Sequence, residues 1–335
     1  MSGANVFIDR SQFPEAVRHD LIDSLRARAI NHKFHYESHK QAAKWLALHE
    51  AYSPARRDPS CLRIYDDAFI AAAASLKMPH VHLVGLGCGG GQKEARLLEV
   101  LRAQNYELTY TASDVSVPLV LTAREAALPF VDHARCRAMV CDLVTIENLD
   151  RAVGNPAPGS VRLVTVFGLV PNFEPDALFN QLASLLQADD LLLLSANLAP
   201  GRDFVAGVRA VLPQYDNKLT RDWLLTFLYD LGVEQRSGLL TFHLDMPADE
   251  PARIIASYAS GKPWGINVED EEFSFAPGEA LRLFFSYRYS RRLLCERLKK
   301  HGFDVVADWQ NDSGEEGVFL CRKGLTSAQE WALRP

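Results

Sequence analysis

The chain has 335 residues, of which 48% are hydrophobic, 23% charged and 10% aromatic, the make-up of a folded globular protein rather than a disordered or collagen-like one. Thirty-six Lys plus Arg against 42 Asp plus Glu leave a net charge of -6, the wrong sign for a protein that works by neutralising phosphates, so nucleic acid is not expected as a partner. This length predicts two packed units or one enlarged α/β domain.

The opening MSGANVFIDRSQF carries charges where a signal peptide needs its apolar stretch, and no run of about 18 apolar residues follows, so no membrane crossing is expected. Residues 14 to 75 read as helical: PEAVRHDLIDSLRARAI, QAAKWLALHEAY and DDAFIAAAASL space their apolar residues by three and four. Within them His32, His35 and His39 read as a solvated helix face; without an Asp or Cys partner set, no metal site is predicted.

VHLVGLG (81 to 87) then predicts a short apolar strand running into a glycine cluster and the helix KEARLLEVLRAQ. The alternation repeats with ELTYTASD (107 to 114) and VPLVLTAREAAL, with RCRAMVCD (135 to 142), with VRLVTVFG (161 to 168) and PDALFNQLASLL, and with DDLLLLSAN (189 to 197). Five apolar strands separated by helices predict a mostly parallel, doubly wound α/β sheet covered on both faces. From about 200 to 285 the pattern loosens into what reads as an insertion, with the aromatic helix RDWLLTFLYDLG and the strands GLLTFHLDM and RIIASYAS. LRLFFSYRYS is read as the return to the sheet, the helix RRLLCERLKKHG follows, and FDVVADW and EEGVFLCRK form a closing hairpin around QNDSG. Dehydrogenase sheets end on a sixth parallel strand, whereas the methyltransferase version of this fold adds an antiparallel seventh. Arg288, Arg291 and Arg292 read as a solvated helix start. Six scattered cysteines without a CxxC pair predict reduced thiols and a cytoplasmic protein.

Gly85-Leu86-Gly87-Cys88-Gly89-Gly90-Gly91 follows the first strand at the mouth of a helix, where missing side chains let a ligand approach the backbone. It satisfies both the GxGxxG of dinucleotide sites and the GxGxG of S-adenosylmethionine (SAM) sites, so both stay open. Asp114 ends the next strand, placed to take both hydroxyls of a ribose. Asp142 ends the third, where an adenine amine finds an acceptor. Together the three strand ends predict an adenosine-type ligand at the carboxyl edge of the sheet. The fourth strand ends in Phe167-Gly168-Leu169-Val170-Pro171-Asn172-Phe173. Its Asn beside a Pro is similar, in permuted order, to the NPPY loops of amino-directed methyltransferases; a plain turn is the alternative.

From about residue 30 to 323 the sequence resembles the SAM-dependent histidine N-alpha-methyltransferases of ergothioneine biosynthesis and their wider histidine-specific methyltransferase-like family. LGCGGGQK (86 to 93) is similar to the family's LGSGTSEK, SDVS (113 to 116) carries Asp114, and CDL (141 to 143) carries Asp142. The resemblance implies a class I SAM-methyltransferase Rossmann-like fold with a mostly parallel seven-stranded sheet (76–199 and 286–335), and a substrate-binding cap domain from the N-terminal helices and the insertion (1–75 and 200–285). Its cofactor is SAM, with Gly85, Gly87, Gly89, Lys93, Asp114, Asp142 and Phe167 at cofactor positions. Tyr36 in KFHYES, Asn172 in VPNFEP and Tyr215 in LPQYDN fall on catalytic positions; Tyr52 in HEAYSPAR, Ala256, Phe284 and Ser286 fall on substrate-binding ones.

Three departures qualify the match. Phe284 stands where the family has a glutamate that pairs with the substrate imidazole, Ala256 near its methionine, and Gly85 where an acid precedes LG. An unpaired imidazole N–H costs about 1 to 3 kcal/mol, one to two decades of preference. The expectation is therefore an N-methyltransferase acting on a small amino-acid-like molecule or amine other than histidine. A repurposed, non-catalytic SAM-fold protein and an NAD-dependent oxidoreductase are the alternatives; the oligomeric state is not legible.

Overall fold

A computed structural model describes residues 5–154, 158–235, 237–247 and 250–324. Residues 325–335, assigned by the sequence to the end of the sheet unit, and residues 1–4 lie outside the described residues. The strands in chain order are β1 (Val6–Ile8), β2 (His80–Leu86), β3 (Glu107–Asp114), β4 (Cys136–Val140), β5 (Ser160–Val166), β6 (Leu191–Asn197), β7 (Leu239–Asp245), β8 (Ala252–Ala259), β9 (Trp264–Val268), β10 (Glu271–Phe275), β11 (Leu281–Arg288), β12 (Phe303–Gln310) and β13 (Glu316–Lys323).

The central sheet runs β1-β4-β3-β2-β5-β6-β13-β12, parallel except for β13, which lies antiparallel between β6 and β12. It holds the seven expected strands and one more, β1, a parallel edge strand on β4. Three residues are too few to display a periodicity, which is why β1 did not stand out among polar neighbours. β2, β5 and β6 are buried almost end to end, as strands covered on both faces must be. One face is covered by the helices Pro59–Ser75, Gln92–Ala103 and Val117–Ala127, which contribute Phe69, Leu97 and Val120 to one core. The other is covered by Pro175–Leu185 and Arg291–Lys300 through Phe179, Leu294 and Leu298.

LRLFFSYRYS forms a strand but does not return to this sheet. β11 pairs antiparallel with β8, and β8 with β7, in a separate three-stranded sheet, while β9 and β10 form a hairpin. An isolated bridge between Leu198 and Tyr289 ties the end of β11 back to the end of β6. Alternation identifies a strand and its inward face but not its partner. A third core joins these strands to the helices Pro14–Arg26 and Lys218–Asp230 through Leu25, Phe34, Trp223, Phe227 and Phe284.

Two expectations of solvation are corrected. His32 and His35 are buried in a 3-10 turn (His32–His35), where the Nε2–H of His35 donates to the Leu283 carbonyl at 2.6 Å. Arg288 is also buried, and it donates to the carbonyl of Leu198 at 3.0 Å and to the Tyr215 hydroxyl at 3.1 Å. Arg291 and Arg292 are exposed at the start of the next helix.

Candidate functional site

A cavity of about 280 Å³ opens at the carboxyl ends of β2, β3, β4 and β5, the edge at which open α/β sheets bind ligands. Its floor is the glycine loop after β2. Gly87 and Gly89 have φ of +60° and +52°, and a Cβ on Gly89 would lie 2.7 Å from Cη2 of Trp45. Both conformation and space therefore demand glycine at position 89. The loop's amides are organised by β3. The Asp114 carboxylate accepts from the Gly89 N–H and from the Ser116 N–H, each at 3.1 Å. Burial pushes its pKa up to about 6, against the lowering effect of these backbone donors.

At the end of β4, one oxygen of Asp142 accepts from the Val144 N–H at 2.9 Å. The other, Oδ2, is fully buried without a hydrogen-bond partner, with the Lys33 ammonium 3.6 Å away. A buried acceptor left open beside a cavity fits an adenine amine, and a carboxylate fixed by two loop amides fits a ribose. The site thus has the parts an adenosine-type ligand requires. After β5, Phe167 packs edge-on to Tyr65 at 5.4 Å, and Asn172 ends the turn Val170–Asn172 on the cavity wall.

The opposite wall comes from the N-terminal helices. Tyr36, just after the His32–His35 turn, meets Trp45 at 5.7 Å and Trp223 at 5.4 Å between ring centroids. Burial, and then the negative charge of Asp114, hold the Tyr36 hydroxyl well above its ordinary pKa, so it stays protonated. Trp45 stacks on His49, one turn along the helix His39–Tyr52, at 5.1 Å.

The expected site residues divide into two groups. Tyr36, Gly87, Gly89, Lys93, Asp114, Asp142, Phe167 and Asn172 line the cavity together. Lys93 is already engaged, donating to the Tyr65 hydroxyl at 2.6 Å with Glu316 at 3.7 Å. Gly85 lies inside β2 behind the loop. Tyr52 is 52% exposed and lies off the cavity. Tyr215, Ser286, Phe284 and Ala256 form a separate cluster. The Tyr215 hydroxyl is 3.0 Å from Ser286 Oγ, and Phe284 pairs across the strands with Ala256. His32 links the two groups, because it lines the cavity and packs on Phe284 at 4.9 Å and Phe285 at 4.5 Å.

His32, which the sequence reads as solvated, lines the cavity, as do Trp45 and Glu94, which the sequence does not single out. Trp45 and His49 at i and i+4 were the available signal for a shared helix face. Glu94 in the first turn after a glycine loop reads as an ordinary helix-dipole acid.

The family model described as histidine-specific methyltransferase, SAM-dependent, matches residues 17–323. Among solved structures, an S-adenosylmethionine-dependent methyltransferase from Clostridium acetobutylicum is similar at a TM-score of 0.46 and 12% identity, covering 84% of this chain and 99% of that one. The magnesium protoporphyrin IX methyltransferase of Synechocystis, solved with bound SAH, gives 0.45 and 11%, covering 86% and 97%. The 1,6-didemethyltoxoflavin-N1-methyltransferase of Burkholderia thailandensis gives 0.42 and 14%, covering 86% and 90%. No curated protein sequence matches the chain.

Proposed function

Because the chain belongs to the histidine-specific, SAM-dependent methyltransferase family, we propose that it methylates an amine nitrogen of a small amino-acid-like molecule other than histidine. Family membership decides between the two adenosine ligands that the glycine loop left open: the cofactor is SAM. The observation that carries the reading is one cavity in which Asp114 and Asp142, on the strand ends, face Tyr36 and Asn172 on the surrounding walls. In this reading the donor lies on segment 76–199, and the acceptor is gripped largely by 1–75 and 200–285. No described helix is long and apolar enough to cross a membrane. Six unpaired cysteines support a cytoplasmic location as part of the same proposal.

When bound, SAM supplies an activated methyl group on a positively charged sulfur. The chain's own task is to present a neutral amine in line with it, and alignment supplies most of the acceleration. A peptide α-amino group titrates at about 8, and the water-poor walls of Tyr36 and Trp45 favour its neutral form. As the nitrogen gains positive charge, those two ring faces stabilise it. The protonated Tyr36 hydroxyl and the Asn172 amide fix the acceptor's orientation, and its far end extends past His32 toward the hydrogen-bonded Tyr215–Ser286 pair.

The case against histidine rests on Phe284, a buried ring packed on His32 and on Trp223 at 5.7 Å. Such a ring accepts no hydrogen bond from an imidazole N–H. With labelled SAM and a panel of amino acids, acceptors with apolar or aromatic side chains should turn over at least about tenfold faster than histidine. Histidine as the fastest acceptor would overturn the substrate assignment. Asn172→Ala should lower turnover by about 10- to 100-fold while S-adenosylhomocysteine affinity changes by less than about threefold, a loss confined to acceptor alignment.

A further inference from the structure

We propose that Glu94 is the anion that receives the positively charged amino group of the methyl donor, in place of the acid absent at position 85. This rests on the donor lying along the glycine loop. A Cβ built on Gly85 would sit 3.2 Å from Cγ of Glu94 and 3.2 Å from the Tyr110 hydroxyl. The Glu94 side chain thus runs across position 85, through space that a longer residue on β2 would fill. One volume has room for one acid, and here the helix Gln92–Ala103 supplies it instead of the strand.

Lys93, the cation whose charge reaches Glu94, is engaged elsewhere. Glu94 is 2% exposed yet belongs to the cavity wall, and its carboxylate accepts from Thr165 Oγ1 at 3.2 Å. Among the described residues no cationic side chain forms an ion pair with it, and neighbouring Lys93 is taken by Tyr65 and Glu316. Burial pushes the Glu94 pKa up to about 7. A buried carboxyl with this balance becomes fully ionised when a ligand cation arrives.

The sheet order gives the direction. With strands in the order β4-β3-β2-β5, Asp142 and Asp114 mark the base and ribose ends, and Glu94 with Thr165 of β5 marks the opposite end. A donor whose adenosine lies on the acids of β4 and β3 extends its amino-acid tail toward β2 and β5, where Glu94 waits. That tail carries the α-ammonium.

Calorimetry with S-adenosylhomocysteine, which keeps the tail, and 5′-methylthioadenosine, which lacks it, tests the assignment without turnover. Glu94→Gln should weaken S-adenosylhomocysteine by about 10- to 100-fold and leave methylthioadenosine within about threefold. Glu94→Ala should lose as much, and adding Gly85→Glu to it should recover most of the loss. In the wild type, lowering pH from 8 to 6 should cost S-adenosylhomocysteine about tenfold more affinity than methylthioadenosine, because Glu94 must be deprotonated to bind. Equal affinities for the Gln variant and the wild type, or equal pH slopes for the two ligands, overturn the role of Glu94. A wild type that binds neither ligand overturns the donor site itself. If the Gln variant fails to fold, the wild-type pH comparison decides alone.

Discussion

Asp114→Asn is expected to weaken S-adenosylhomocysteine binding by about two to four orders of magnitude while leaving the protein folded. The carboxylate accepts from two backbone amides that face it from different segments, Gly89 in the loop and Ser116 after β3. An amide group has one acceptor oxygen, so in either orientation its NH₂ is turned against one of those N–H groups. The glycine loop then loses the clamp that fixes it, and the ribose loses an acceptor. Each hydrogen bond to a charged group is worth about 1.5 to 3 kcal/mol, so losing two gives the stated range. Titration calorimetry of the variant, with its circular dichroism melt as the folding control, measures this directly. A dissociation constant within about threefold of wild type would remove Asp114 from the donor site.

The legible parts of this site share one property: each lies at the end of a strand whose apolar run marks it. Gly87, Asp114, Asp142 and Phe167 follow consecutive strands, and parallel topology brings those ends to one edge without further information. Residues that reach the cavity by tertiary packing carried no such mark. Trp45 reads as one apolar position on an amphipathic helix, yet its ring covers Gly89. His32 and His35 read as polar surface because three histidines among lysines resemble a solvated stretch, and it is the docking of β11 and of the helix Lys218–Asp230 that buries them. The strand β11 itself was visible by composition, but its pairing with β8 was not, since a strand's sequence does not name its partner. Gly85 read as a missing acid for the opposite reason. Sequence comparison registers one position at a time, whereas the volume at the end of β2 is shared with Glu94.

Buried histidines, the two misread ones among them, dominate the expected acid response of the ligand-free protein. Burial lowers the pKa of His35 to about 4, against the raising effect of its bond to Leu283, and lowers that of His82 to about 4 as well. His32 is also lowered, by burial first and then by the nearby His35 and Arg282. A group depressed below its unfolded value of 6.5 gives stability that is complete above that pH. The contribution is lost as pH falls toward the folded value, because the unfolded chain takes up the proton first. His35 and His82 each account for about 3 kcal/mol over this window, and His32 adds to them in the same direction. Glu94 and Asp114 oppose this loss. Their pKa values are raised to about 7 and about 6, so the folded state holds their protons more tightly and gains about 3 kcal/mol from each as pH falls to 4. Burial also lowers the pKa of His49, to about 3, and raises that of the Glu37 carboxyl, so four buried histidines stand against three carboxyls and leave a net loss. The urea midpoint should therefore fall between pH 6.5 and 4, and Glu94→Gln, which removes one opposing carboxyl, should steepen the fall. A midpoint that rises steadily down to pH 4 would mean that the carboxyls outweigh the buried imidazoles. Saturating S-adenosylhomocysteine should sharpen the acid loss further, because bound ligand holds Asp114 and Glu94 ionised and withdraws two of the terms that favoured the folded state at low pH.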